Sequence, residues 1–123
     1  MAKRGRLSRQ QAEARGRRAE TLAALFLQAK FYSILDRRVR LPVGEIDLIA
    51  KRGKTLAFIE VKQRKTLEAC QTAVSLQSWH RISCAAAAWS GHRTGLANHN
   101  WRYDLVAIIP GHFPKHFKDF WRP

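Results

Sequence analysis

Asp47, Glu60 and Lys62 form an Asp-x(12)-Glu-x-Lys spacing set in apolar sequence, with Ile46, Leu48 and Ile49 around the aspartate and Phe58, Ile59 and Val61 around the glutamate. Carboxylates held side by side repel one another, and a cation, a raised pKa or a nearby ammonium must offset that repulsion. Magnesium suits such a pair, because it takes one or two protein carboxylates and fills its other positions with water and phosphate oxygens. The ion would lower the pKa of a bound water and stabilise charge in the in-line displacement of a phosphodiester. An adjacent lysine would position the attacking water and stabilise the developing negative charge. The alternative for the same residues is an ordinary solvated hairpin face on which Lys62 pairs with Glu60.

The elements that must hold these groups can be read from hydrophobic periodicity. Residues 44–50 and 55–62 are largely apolar, with Glu45 and Asp47 interleaving Ile46 and Leu48, and Glu60 and Lys62 interleaving Ile59 and Val61. Around Lys51-Arg52-Gly53-Lys54 this is the pattern of strand, tight turn, strand. With the turn centred on Arg52-Gly53, Glu60 faces Glu45 and Asp47 lies diagonal to it, which puts three carboxylates and Lys62 on one patch. Upstream, a helix entering near Ser8 shows Ala19, Leu22, Ala23 and Phe26 at i, i+3, i+4, i+7, and Glu20 sits beside that stripe. Residues 31–41 read as a first strand, 71–90 as a second helical region and 101–110 as a further strand. Residues 112–123 read as a closing strand or turn. The order α-β-β-β-α-β describes an α/β domain, a mixed β-sheet flanked by helices. Arg102 and Asp104 share a strand face and read as an ion pair.

The chain has 123 residues, enough for one hydrophobic core, with a basic N-terminal arm (1–15, partly mobile) ahead of a single domain (16–123). Lys and Arg number 23 against 9 Asp and Glu, a formal charge of +14 that points to a polyanionic partner. Arg38 and Arg40 before the hairpin, Lys51, Arg52 and Lys54 at its turn, and Arg64 and Lys65 after it are the expected nucleic-acid contacts. Their affinity would fall steeply with salt. No helix-turn-helix or zinc finger is visible, so recognition of nucleic-acid structure is expected rather than base reading. Trp89 and Trp101 read as core; Trp79 and Trp121 are left open between core and base stacking. Two cysteines form no disulfide framework, and no apolar run reaches membrane-spanning length, so a cytoplasmic location without membrane contact is expected.

Asp47…Glu60-Val61-Lys62 resembles the D…(D/E)-x-K signature of the PD-(D/E)XK nuclease superfamily. Gly44-Glu45-Ile46-Asp47-Leu48-Ile49-Ala50 with Phe58-Ile59-Glu60-Val61-Lys62-Gln63-Arg64 resembles more closely the bacterial YraN family. Ala19-Glu20 and Arg102-Tyr103-Asp104-Leu105-Val106 extend the likeness over residues 16–110. It departs at Ser78, where that family's second helix often carries a lysine. The resemblance implies a restriction-endonuclease-like fold, with Asp47 and Glu60 as metal ligands, Lys62 as the catalytic lysine and Glu20 approaching the same metal. It implies a magnesium- or manganese-dependent endonuclease acting on DNA; a homodimer is expected from a domain this small cutting two strands. A non-catalytic nucleic-acid-binding module of the same fold is the alternative.

Overall fold

Strands rich in Ile, Leu, Val and Phe, punctuated by glycine turns, build a sheet on which one helix buries an alanine-rich face and another buries one set with tryptophans. A computed structural model describes residues 2–96 and 98–123. The elements are α1 (Ala2–Ala29), β1 (Ser33–Leu41), β2 (Gly44–Arg52), β3 (Thr55–Gln63), α2 (Leu67–Thr72), α3 (Leu76–Ser90), a 3₁₀ turn (Thr94–Leu96), β4 (Asn100–Ile108) and β5 (Lys115–Trp121). The five strands lie in sequence order, antiparallel except for the parallel pair β3–β4. A parallel pair needs a crossover, and α2 and α3 supply it. The predicted α/β class and mixed sheet are therefore present. The predicted single helix over 71–90 is two helices, because the Ser75 hydroxyl caps the start of α3.

The α1 helix covers one face of the sheet, setting Ala19, Ala23, Ala24 and Leu27 against Leu48, Ala50, Ile59 and Val106. On the other face, α3 packs Trp79, Ile82, Ala85 and Trp89 against Ile46, Ile49, Phe58 and Leu105. The stripe expected on α1 is rotated: Leu22 is 44% exposed and Phe26 is half-buried, while Ala24 and Leu27 are inside. Both stripes satisfy helical spacing, and the alanines win because they let the helix approach the sheet closely. This rotation carries Glu20 onto the buried side, where it is 8% exposed. The predicted arm is helical from Ala2 onward, and over residues 9–18 all but half-buried Ala14 are exposed.

The β2–β3 turn contains only Gly53 and Lys54, with Gly53 at φ +59°, so Arg52 pairs with Thr55 and Leu48 with Ile59. This shifts the register by two residues from the predicted one and moves Glu60 from opposite Glu45 to the level of Asp47. A two-residue shift preserves which face each side chain takes. Trp89 is buried as expected and Trp79 joins it, stacked on Trp121 at 5.9 Å. Trp101, by contrast, is 40% exposed because it lies in the first turn-end residues of β4.

Candidate active site

Strand β2 changes faces at Asp47. Ile46 packs on the α3 side and Leu48, two residues on, packs on the α1 side. Arg38 lies between the Arg37–Leu48 and Val39–Ile46 pairs and so faces Asp47; it takes φ +53°, a left-handed conformation that an L side chain adopts at a cost. Beyond Leu48–Ile59 the β2–β3 ladder stops. The Asp47 carboxylate spans the opening instead, its Oδ2 accepting a hydrogen bond from the Val61 N–H at 2.9 Å. The gap between splayed strands is thus filled by a side chain rather than a ladder bond.

Ile59 and Val61 face α1, so Glu60 and Lys62 alternate toward α3. Lys62 Nζ stands 3.5 Å from Glu60 Oε1, and Glu60 is near enough to Asp47 for the two carboxyls to interact. Two clefts open on the gap. The one on the α1 side, about 380 Å³, exposes Glu20, Asp47, Glu60, Lys62 and Arg64. The one on the α3 side, about 330 Å³, exposes Glu45, Glu60, Lys62, Ser78 and Arg81. Gly44 makes the second cleft possible, since a Cβ there would collide with the backbone carbonyl of Arg81 and push α3 away.

The electrostatics reflect crowding of like charges. Burial, then the charge and hydrogen bond of Asp47, push the Glu60 carboxyl up to about 9 against the opposing pull of Lys62. Glu20 is raised in the same direction, by burial first and Asp47 second, while Arg38, Arg40 and Arg37 counteract. Arg38 Nε is 3.5 Å from Glu20 Oε1, yet that oxygen is buried without a hydrogen-bond partner.

A stability profile follows from Glu60. The folded state holds a proton that the unfolded chain gives up near 4.5, so this group's contribution is greatest below that pH and declines as pH rises toward about 9. Each pKa unit is worth about 1.4 kcal/mol, so the decline is on the order of a few kcal/mol. Glu60→Gln keeps the uncharged shape and is expected to flatten the profile. Urea midpoints in EDTA at pH 5.5 and pH 8.5 check this: the parent should lose more stability than the variant, and parallel losses would contradict it.

Among the described residues no three His, Cys, Asp or Glu side chains are close enough together to hold a metal ion. Asp47 and Glu60 remain as a neighbouring pair, which fits the one or two carboxylates magnesium usually takes from a protein. Glu20 lines the same cleft from α1, ion-paired with Arg38, and does not complete a set of three donors. Glu45 is turned outward and paired with Arg40.

The expected basic contacts separate into two groups. Arg38, Arg40 and Arg64 lie at the carboxylate end, and Lys65 follows Arg64 in the exposed link to α2. Lys51, Arg52 and Lys54 sit at the hairpin turn, five residues along the strand from Asp47 in the case of Arg52, or ~17 Å at the usual rise. There Arg52 lies over the Tyr32 ring at 5.7 Å. Sequence reasoning missed Arg81, one helical turn beyond Ser78, and Arg15 of α1, both of which line the clefts.

A second polar cluster lies under the C-terminal end of α1. Asp104 is fully buried and its carboxylate accepts from Arg102 twice at 2.8 Å and from the Asp119 N–H at 2.9 Å. His116 Nε2 is 2.7 Å from the same carboxylate, and its Nδ1 is 2.7 Å from Lys30 Nζ. The expected Arg102–Asp104 pair is present, embedded in a larger network. A bulge in β5 with Asp119 at φ +55° supplies the backbone donor.

Comparison with known proteins places the chain. The model of the uncharacterised protein family UPF0102 matches residues 19–108, from the start of the buried part of α1 to the end of β4. A UPF0102 protein of Maricaulis maris is 47% identical over 116 residues, 94% of this chain and 91% of its own. One of Caulobacter vibrioides is 50% identical over 106 residues, covering 86% and 85%. One of a Chelativorans species is 45% identical over 121 residues, 98% of both chains. No described helix is long and apolar enough to cross a membrane. The likeness to the YraN family read from the hairpin is therefore confirmed: the chain belongs to the UPF0102 (YraN) family.

Proposed function

We propose that this protein is a metal-dependent nuclease that hydrolyses phosphodiester bonds of DNA, branched or otherwise structured DNA above all. The observation that carries this reading is the convergence of Asp47, Glu60 and Lys62 at the gap between β2 and β3, in a chain of net charge +14. Asp47 and Glu60 would hold Mg²⁺ or Mn²⁺, which supplies an activated water and neutralises charge on the phosphoryl oxygens. Asp47 is fixed by the Val61 N–H, so its free oxygen is presented at a set angle. Glu60 must give up its proton to act, and Lys62 assists by favouring the carboxylate form. The Lys62 ammonium also holds the attacking water and stabilises the negative charge that develops on the phosphate. Glu20 lines the cleft from the α1 side and adds its carboxyl to the site. Arg38, Arg40, Arg64 and Lys65 provide phosphate contacts near the site. Lys51, Arg52 and Lys54 provide them farther along the molecule.

A binding module without turnover is the competing reading, favoured by the lack of a three-donor set among the described residues. Calorimetric titration with Mn²⁺ tests the metal pair. The parent is expected to bind one ion, with Asp47→Asn at least about tenfold weaker because it removes one of two anionic donors. No binding, or binding indifferent to Asp47→Asn, would sink the metal site.

A further inference from the structure

The overhanging part of α1 has a feature that its own folding does not call for. Ala12, Gly16, Ala19 and Glu20 lie on one helix face, and this face forms a wall of the α1-side cleft. Glycine in a helix interior weakens the helix, because the unfolded chain has more freedom to lose. Packing does not require it here. A Cβ at Gly16 would have no heavy atom within 4 Å, and Gly16 has no positive φ. The glycine thus leaves a notch, one side chain wide, in the wall above the carboxylates.

One turn beyond Gly16 sits Glu20, buried, lining the same cleft and ion-paired with Arg38 at 3.5 Å. The rims of the cleft carry cations from two different elements, Arg15 from α1 and Arg64 from the segment after β3. An anionic ligand is therefore held at the rims, and the carboxylates lie at the floor. At about 380 Å³ the cleft is the size of a small-ligand pocket, which admits a single strand and not the body of a duplex.

We infer that the α1 overhang is one jaw of a strand-binding groove. A nucleic-acid strand crosses the helix at Gly16, with its phosphates held by Arg15 and Arg64 above the carboxylate floor. This rests on the nuclease reading and adds the path of the substrate to it. Any side chain at position 16 would stand in that path.

The test is fluorescence anisotropy with a labelled single-stranded DNA 20-mer, in EDTA so that nothing is cleaved. Gly16→Leu is expected to weaken binding by at least about tenfold. Its helical content and melting temperature should equal or exceed the parent's, since leucine is the better helix former. Gly16→Ala should keep the fold equally well and weaken binding less. Arg15→Gln and Arg64→Gln should each reduce the slope of log Kd against log salt by about 0.7, the loss of one phosphate contact on a single strand. Parental affinity in Gly16→Leu overturns the groove, and the Mn²⁺ titration of Asp47→Asn still stands as the separate check of the nuclease reading. A parent that binds neither the 20-mer nor its duplex overturns both.

Discussion

Lys62→Ala is expected to lower the single-turnover rate of DNA cleavage by about 10²–10⁴-fold while leaving the fold in place. Lys62 is the cation nearest Glu60, at 3.5 Å, and opens to both clefts. Two effects combine in its loss. The attacking water and the developing phosphate charge lose their ammonium partner. Glu60, already raised by burial and by Asp47, loses the group that pulls its pKa down and so releases its proton less readily. Stability should change little, because at neutral pH the Glu60 carboxyl holds a proton and leaves no uncompensated charge when Lys62 goes. Lys62→Arg keeps the positive charge but spreads it over a planar fork, and should recover only part of the rate. Parental rates in Lys62→Ala would remove the lysine from the chemistry.

Asp104→Ala is expected to cost about 3–5 kcal/mol of folding stability, a large share of the roughly 5–15 kcal/mol that holds a domain together. Asp104 is fully buried, and Arg102, His116 and the Asp119 N–H all donate to it or approach it within 2.9 Å. Burial alone would raise its pKa, but His116, Arg102 and that N–H outweigh burial and hold the carboxyl below its usual range. Its stabilisation is therefore full above the unfolded value of 3.8 and is lost as pH falls from there through the lower folded one. Removing the carboxylate strands Arg102 and Lys30 near Arg52 and Lys118, a cluster of cations with its central anion gone. Asp104→Asn keeps the shape but sets an amide N–H₂ against a donor, and should restore only part of the loss. Urea denaturation measures both; a cost below about 1 kcal/mol for Asp104→Ala would show that water replaces the carboxylate.

Much of this architecture is legible in local pattern. The apolar runs at 44–50 and 55–62 on either side of Lys51-Arg52-Gly53-Lys54 identify the hairpin, both faces of which are covered, one by α1 and one by α3. The two-residue error in register came from the turn, where the choice between Arg52-Gly53 and Gly53-Lys54 is not visible in composition. The face change at Asp47 was also hidden, since it depends on the left-handed Arg38 across the ladder. Even so, Glu20, Asp47 and Glu60 line one cleft, Glu20 from α1 and the other two from the hairpin. On α1 two overlapping apolar stripes competed, and only packing against the sheet decides between Phe26 and Leu27. Contacts between distant residues, such as Lys30 with His116, leave no local trace. The same holds for the separation of the basic residues to the two ends of the hairpin.

Incubating the purified protein with flapped, branched and single-stranded DNA, with Mg²⁺ or Mn²⁺ and with EDTA, addresses the nuclease site most directly when Lys62→Ala is run beside the parent. The expected result is cleavage by the parent that EDTA abolishes and that Lys62→Ala loses. Equal cleavage by parent and variant, cleavage that persists in EDTA, or no cleavage of any substrate would contradict a metal-dependent nuclease built on Asp47, Glu60 and Lys62.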